Sequence, residues 1–186
     1  MSSIPFREPC ADWLETPIAL AKNGFVGDSI VDGPGLRCTI FAQGCPHKCK
    51  GCHNEIAWSF ENGVATTPRE LLARVKRHPL SRAVTFSGGE PFCQPAPFLA
   101  LAKALKQEGY EVCAYTGYDF EQIEQMGGVW AALLGFLDTV IDGQFMILER
   151  SAEFLFKGSA NQRIIDVQKS LAAGSVIVRT EKRWVG

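Results

Sequence analysis

Three cysteines fall within eight residues, Cys45-Pro46-His47-Lys48-Cys49-Lys50-Gly51-Cys52. The other four of the chain's seven cysteines, Cys10, Cys38, Cys93 and Cys113, are scattered. An odd count with one tight cluster is a metal-ligating arrangement and not a disulfide framework, and isolated cysteines read as small buried apolar side chains. An ordinary 4Fe-4S cluster takes four cysteine ligands, so three leave one iron open to the amino and carboxylate groups of a small molecule. A structural zinc site of the three cysteines with His47 or His53 is the alternative for the same residues. A second constellation, Ser87-Gly88-Gly89-Glu90-Pro91, follows a strand pattern and precedes a helix pattern. Its glycines can bring bare backbone close to a ligand, although the same residues also make an ordinary turn.

The elements that must position these residues are readable around them. Leu36, Cys38 and Ile40 alternate with Arg37, Thr39 and Phe41, which predicts a half-buried strand running into Gly44-Cys45. Thr67-Pro68-Arg69-Glu70 has capping-box spacing with proline at the first helical position, so a helix starts there and ends before His78-Pro79. A strand over Ala83 to Phe86 leads into the glycine pair, and a helix from Pro97 to Glu108 is closed by Gly109. The unit recurs as a strand over Glu111 to Tyr115, the loop Thr116-Gly117-Tyr118, a helix capped by Asp119 with Gln122, and a strand over Leu137 to Ile141 ending at Asp142-Gly143. Strands alternating with helices predict a parallel sheet with right-handed crossovers, in a chain shorter than the ~250 residues of a complete eight-unit barrel. The expected fold is therefore an α/β partial (β/α) barrel in a single domain. The cysteine loop, Gly88-Gly89 and Asp142 would share its mouth. Beyond Met146 the pattern is weak, with possible strands at Phe154 to Phe156 and Ser175 to Val178.

The 186 residues carry a net charge of −1 and are 46% hydrophobic, enough for one buried core. No basic stripe marks a nucleic-acid partner, and no 18-residue apolar run or export signal is visible, so a cytoplasmic protein with no membrane association is expected.

The triplet of cysteines with Gly88-Gly89-Glu90 resembles the radical S-adenosylmethionine superfamily. Asp28-Ser29-Ile30-Val31-Asp32-Gly33-Pro34-Gly35-Leu36-Arg37 before the cysteines, and His53-Asn54 after Cys52, resemble the glycyl-radical-enzyme activases. Within them, Tyr115-Thr116-Gly117-Tyr118, Ile141-Asp142-Gly143-Gln144-Phe145 and Lys157-Gly158-Ser159-Ala160-Asn161-Gln162-Arg163 are similar to the activases of the anaerobic ribonucleoside-triphosphate reductase. Ser159 and Asn161 are also suited to binding their own loop's backbone. The likeness runs from about Gly24 to Leu171, giving an expected domain over 24–180 and an N-terminal segment, 1–23, of open role.

The resemblance implies one 4Fe-4S cluster on Cys45, Cys49 and Cys52, with S-adenosylmethionine held near Gly51, Cys52, His53, Gly88, Gly89, Glu90 and Asp142. Gly51 departs from the family pattern, standing where many members carry an aromatic residue against the adenine. The implied partners are a glycyl-radical enzyme, the large subunit of the anaerobic ribonucleotide reductase, and a flavodoxin or ferredoxin as reductant. No acid-base dyad is expected, because the cofactor does the hard chemistry. A pyruvate formate-lyase activase, a small-molecule radical enzyme such as a 7-carboxy-7-deazaguanine synthase, and a non-enzymatic zinc-stabilised interaction domain remain open alternatives.

Overall fold

A computed structural model describes residues 11–186; Cys10 lies outside the described residues. Seven strands form one open mixed sheet in the order β3-β1-β2-β4-β5-β6-β7. They are β1 (Ile18–Ser29), β2 (Arg37–Ala42), β3 (Val64–Thr66), β4 (Ala83–Gly88), β5 (Glu111–Tyr115), β6 (Thr139–Asp142) and β7 (Arg163–Asp166). The central strands β2, β4, β5 and β6 are parallel neighbours, as the strand-helix alternation predicts. The edges are not: β1 and β3 pair antiparallel on one side and β7 antiparallel to β6 on the other. The result is a partial barrel whose outer strands are hairpin-like additions.

The helices α1 (Pro68–Val75), α2 (Pro95–Gln107), α3 (Phe120–Met126), α4 (Gly128–Gly135), α5 (Val167–Ala173) and α6 (Lys182–Val185) complete the fold. Thr67 accepts from the Glu70 N–H while Glu70 reaches back to the Thr67 N–H, so the expected capping box starts α1. At α3 the Gln122 side chain accepts from the Asp119 N–H at 2.9 Å. Strand residues alternate between two buried faces. Cys38, Ile40, Val84, Phe86, Val112, Ala114 and Val140 pack against Leu71, Phe98, Leu101, Leu105 and Leu134 of the helices. The opposite, concave face carries polar Arg37 and Thr85, hydrogen-bonded to each other, beside a second cluster of Cys113, Ile141, Ile164 and Trp184.

The expected boundaries fall within or short of ordered elements, and two strand expectations need correction. The boundary drawn at residue 24 falls inside β1, whose alternation is interrupted by a bulge between Leu20 and Phe25 where Asn23 takes a φ of 59°. The boundary at 180 leaves out Trp184, which is fully buried. Phe154 to Phe156 is not a strand, and Val178 makes only an isolated bridge to Ile165. The strand actually present after Met146, β7, has four residues, too few to show a period.

Candidate cluster-binding site

The cysteine loop follows β2, the glycine pair ends β4, Thr116-Gly117 follows β5 and Gly143 follows β6, so all four lie at the C-terminal ends of the parallel strands. A cavity of about 620 Å³ opens there. Cys45, Cys49, Cys52, Gly51, His53, Gly88, Gly89 and Glu90 all line it.

The cysteine loop is closed on itself before it meets anything else. Gly44 donates to Ala57 O at 2.8 Å and Cys45 to Trp58 O at 3.1 Å, so the short 3₁₀ turn Glu55–Ala57 folds back under the first cysteine. Burial pushes the Cys45 and Cys49 thiols up from their ordinary value, opposed by backbone N–H groups: those of His47 and Lys48 at Cys45, and that of Phe145 at Cys49. The Asn54 N–H donates to Cys52 Sγ at 3.4 Å. Each thiol therefore has a backbone N–H directed at it, an arrangement that favours thiolates once a metal displaces their protons.

Gly88 and Gly89 are needed first for close packing. A Cβ on Gly88, at φ 96°, would meet Ala42 N at 2.6 Å, and one on Gly89 would meet Gly44 O at 2.4 Å. With both side chains absent, Gly89 N donates to Ala42 O at 2.7 Å and Glu90 N to Gly44 O at 2.8 Å, locking the end of β4 onto the start of the cysteine loop.

Glu90 is completely buried, and its carboxylate is spent on the protein. Oε2 accepts from Gly117 N at 2.8 Å and meets His47 Nε2 at 3.1 Å, while Oε1 accepts from Phe92 N at 3.0 Å. His47 Nδ1 faces the Gln144 amide nitrogen at 3.4 Å. Because the Glu90 carboxylate accepts, Nε2 carries the hydrogen of the His47–Glu90 bond. Both nitrogens of His47 are thus engaged away from any metal. His47 and Gln144 are parts of the site that the spacing of the sequence did not single out; only the zinc alternative named His47.

Asp142 is not in the cavity. It is 1% exposed and accepts from Arg163 Nε at 3.1 Å, from Arg163 Nη2 at 2.5 Å and from Phe120 N at 2.8 Å. Its carboxylate forms a buried ion pair that ties β6 to β7 and to α3. The neighbouring Gly143 takes its place in the lining.

The cavity's remaining wall comes from the stretch the sequence left unread, with Phe145, Phe154, Phe156, Arg150 and Lys157 among its lining residues. The Ser-x-Asn-Gln segment holds that wall. Ser159 Oγ accepts from Met146 N at 3.1 Å, Asn161 Nδ2 donates to Gln144 O at 2.8 Å, and Gln162 Nε2 donates to Gly143 O at 2.9 Å. These side chains do bind local backbone, as their types allow, and the backbone they hold borders the cysteines.

The lining is compatible with a bound cluster. Trp58, which also lines the cavity, has a buried indole N–H without an acceptor; sulfur in a bound cluster would supply one. Fold and loop together define the class: a partial α/β barrel with three cysteines at the rim of one mouth.

Residues 31–165 match the family model described as a 4Fe-4S single cluster domain. The anaerobic ribonucleoside-triphosphate reductase-activating protein of Vibrio cholerae is 34% identical over 144 residues, 73% of this chain and 90% of that protein. The activating protein of the same name from Haemophilus influenzae is 32% identical over 143 residues, with the same coverage, and that of Enterobacteria phage T4 is 32% identical over 144 residues, 72% of this chain and 86% of that one. A crystal structure of QueE from Escherichia coli aligns with a TM-score of 0.49 at 16% identity, covering 71% of this chain and 73% of that one. The chain belongs to the 4Fe-4S single cluster family and, within it, to the anaerobic ribonucleoside-triphosphate reductase-activating proteins.

Proposed function

We propose that this protein cleaves S-adenosylmethionine reductively and generates a glycyl radical on an anaerobic ribonucleoside-triphosphate reductase. The observation that carries the reading is the meeting of three thiols and the Gly88-Gly89-Glu90 strand end on one cavity, about 620 Å³ in volume, within the 300–1,000 Å³ range of small-molecule sites. Cys45, Cys49 and Cys52 would hold the cluster and leave one iron for the amino and carboxylate groups of S-adenosylmethionine. A cluster held there would supply one electron to the sulfonium of S-adenosylmethionine, whose C5′–S bond would then break to give methionine and a 5′-deoxyadenosyl radical able to remove hydrogen from a glycine Cα.

The chain's own work is placement. Glu90 and His47 join the cysteine loop to the loops after β4 and β5, which ties the three cysteines to the small-molecule wall. Phe145, Phe154 and Phe156 add apolar wall, which keeps water from a radical that would otherwise be quenched. Ile30 and Val31 stand 68% and 74% exposed beside the lining residue Asp32, a surface suited to an apolar partner segment. The low potential demanded of the cluster, in a range of roughly −700 to +450 mV, calls for a flavodoxin or ferredoxin and a reducing, cytoplasmic compartment. Among the described residues no helix is long and apolar enough to cross a membrane.

The test is anaerobic. Protein reconstituted with iron and sulfide, reduced with dithionite and given S-adenosylmethionine is expected to release 5′-deoxyadenosine, and Cys49→Ala is not. With the reductase added, a glycyl radical should appear in proportion to the nucleoside. Absence of both from wild-type protein carrying an intact cluster and its partner would overturn the reading.

A further inference from the structure

Gln144–Glu149, the stretch after β6, touches the cysteine loop at two points. Gln144 Nε2 meets His47 Nδ1 at 3.4 Å, and Ile147 lies over Gly51. The last contact is close: a Cβ on Gly51 would lie 2.6 Å from Ile147 Cδ1, 3.3 Å from Cγ1 and 3.6 Å from Cβ. Gly51 itself has a φ of 77°, which side-chain-bearing residues rarely adopt. The missing side chain of Gly51 and the branched one of Ile147 are therefore complementary, although nearly a hundred residues separate them.

The same stretch is held from behind. Ser159 accepts from Met146 N, Asn161 donates to Gln144 O, and Ala160 N donates to Glu149 O at 2.9 Å. A segment gripped on one side and laid on His47 and Gly51 on the other can fix how much water reaches that edge of the loop.

We propose that Ile147 is a positioning residue for the cluster: seated on Gly51, it covers the Cys49–Cys52 edge and sets the cluster's reduction potential by excluding solvent. This rests on the cluster reading of the three cysteines. The physical basis is that the reduced cluster carries more negative charge, water stabilises that charge, and an apolar cover withholds the stabilisation, which keeps the potential low. Ile147 does not touch the reacting atoms in this role; it acts through the loop that carries the ligands.

The test is an anaerobic redox titration, followed by electron paramagnetic resonance, of reconstituted wild type, Ile147→Ala and Ile147→Val, with iron and sulfide measured in each. Ile147→Ala is expected to shift the midpoint to less negative values, raising the reduced-to-oxidised ratio at a fixed potential about threefold or more, and to admit exchangeable deuterium couplings in heavy water. Ile147→Val, which keeps the branched cover, should stay close to wild type. A failure of Ile147→Ala alone to assemble its cluster would support the same positioning role. Equal midpoints and equal deuterium couplings in variants with full iron content would overturn the proposal while leaving the cluster in place; a wild type that binds no cluster would overturn the site reading and this inference together.

Discussion

The Nε2–H of His47 donates to Glu90 Oε2 across 3.1 Å, joining the cysteine loop after β2 to the turn after β4. Because the same carboxylate also accepts from Gly117 N and Phe92 N, one buried side chain organises three loops.

Glu90→Gln therefore replaces an acceptor-only group by one whose NH₂ cannot accept. At least one buried N–H loses its partner, at a cost of about 1–3 kcal/mol. The expected outcome is a melting temperature lower by about 2–4 °C per kcal/mol for a chain of this size, with less iron retained after reconstitution. Thermal unfolding of the metal-free protein and iron analysis measure the two effects separately.

The Asp142–Arg163 pair is structural, and its loss should read as instability rather than as weakened binding of S-adenosylmethionine. Arg163→Ala leaves the buried Asp142 carboxylate unpaired, which costs about 3–5 kcal/mol when such a pair is broken. Denaturant unfolding should show a lower midpoint with an unchanged slope. Acid should reveal the other arm. Hydrogen bonds from Arg163 hold the Glu121 carboxyl below its ordinary value, so its stabilisation is complete above the usual carboxylate range and disappears as pH falls through the depressed value. Glu121→Gln is expected to lose less stability than wild type between pH 6 and 3, by under about 1 kcal/mol because the pair is solvent-screened.

Trp184 closes the concave side of the sheet near the C-terminus. It is fully buried, stacks edge-on against Phe156 at 5.8 Å, and has the guanidinium groups of Arg37 and Arg179 each 5.7 Å from its ring. Trp184→Ala should cost about 3–5 kcal/mol. Since Phe156 also lines the cavity, the variant should bind S-adenosylmethionine more weakly even where it remains folded, which equilibrium binding at low temperature measures.

The central strands and the cysteine loop were legible because each is a local signal: alternation in Arg37–Ala42, a capping box at Thr67, and three thiols in eight residues. β1 was not, since its bulge at Asn23 breaks the alternation that identifies a strand. The surroundings of Asp142 are hidden for a different reason. A carboxylate after a strand at the mouth has the right place for a ligand contact, and only its pairing with Arg163, twenty-one residues on, turns it inward. Gly51 was read as a missing aromatic contact; its meaning depends on Ile147, which no local pattern connects to it. Glu90 was found by motif, but its acceptors' partners lie on loops distant in sequence.

The most direct test of the account is the electron paramagnetic resonance spectrum of the dithionite-reduced, reconstituted protein with and without S-adenosylmethionine. Three cysteine ligands and an open iron require one reduced-cluster signal whose shape changes on addition of the small molecule, and loss of that signal in Cys45→Ala, Cys49→Ala and Cys52→Ala but not in Cys93→Ala. A signal indifferent to S-adenosylmethionine, or a colourless protein holding zinc, would contradict it.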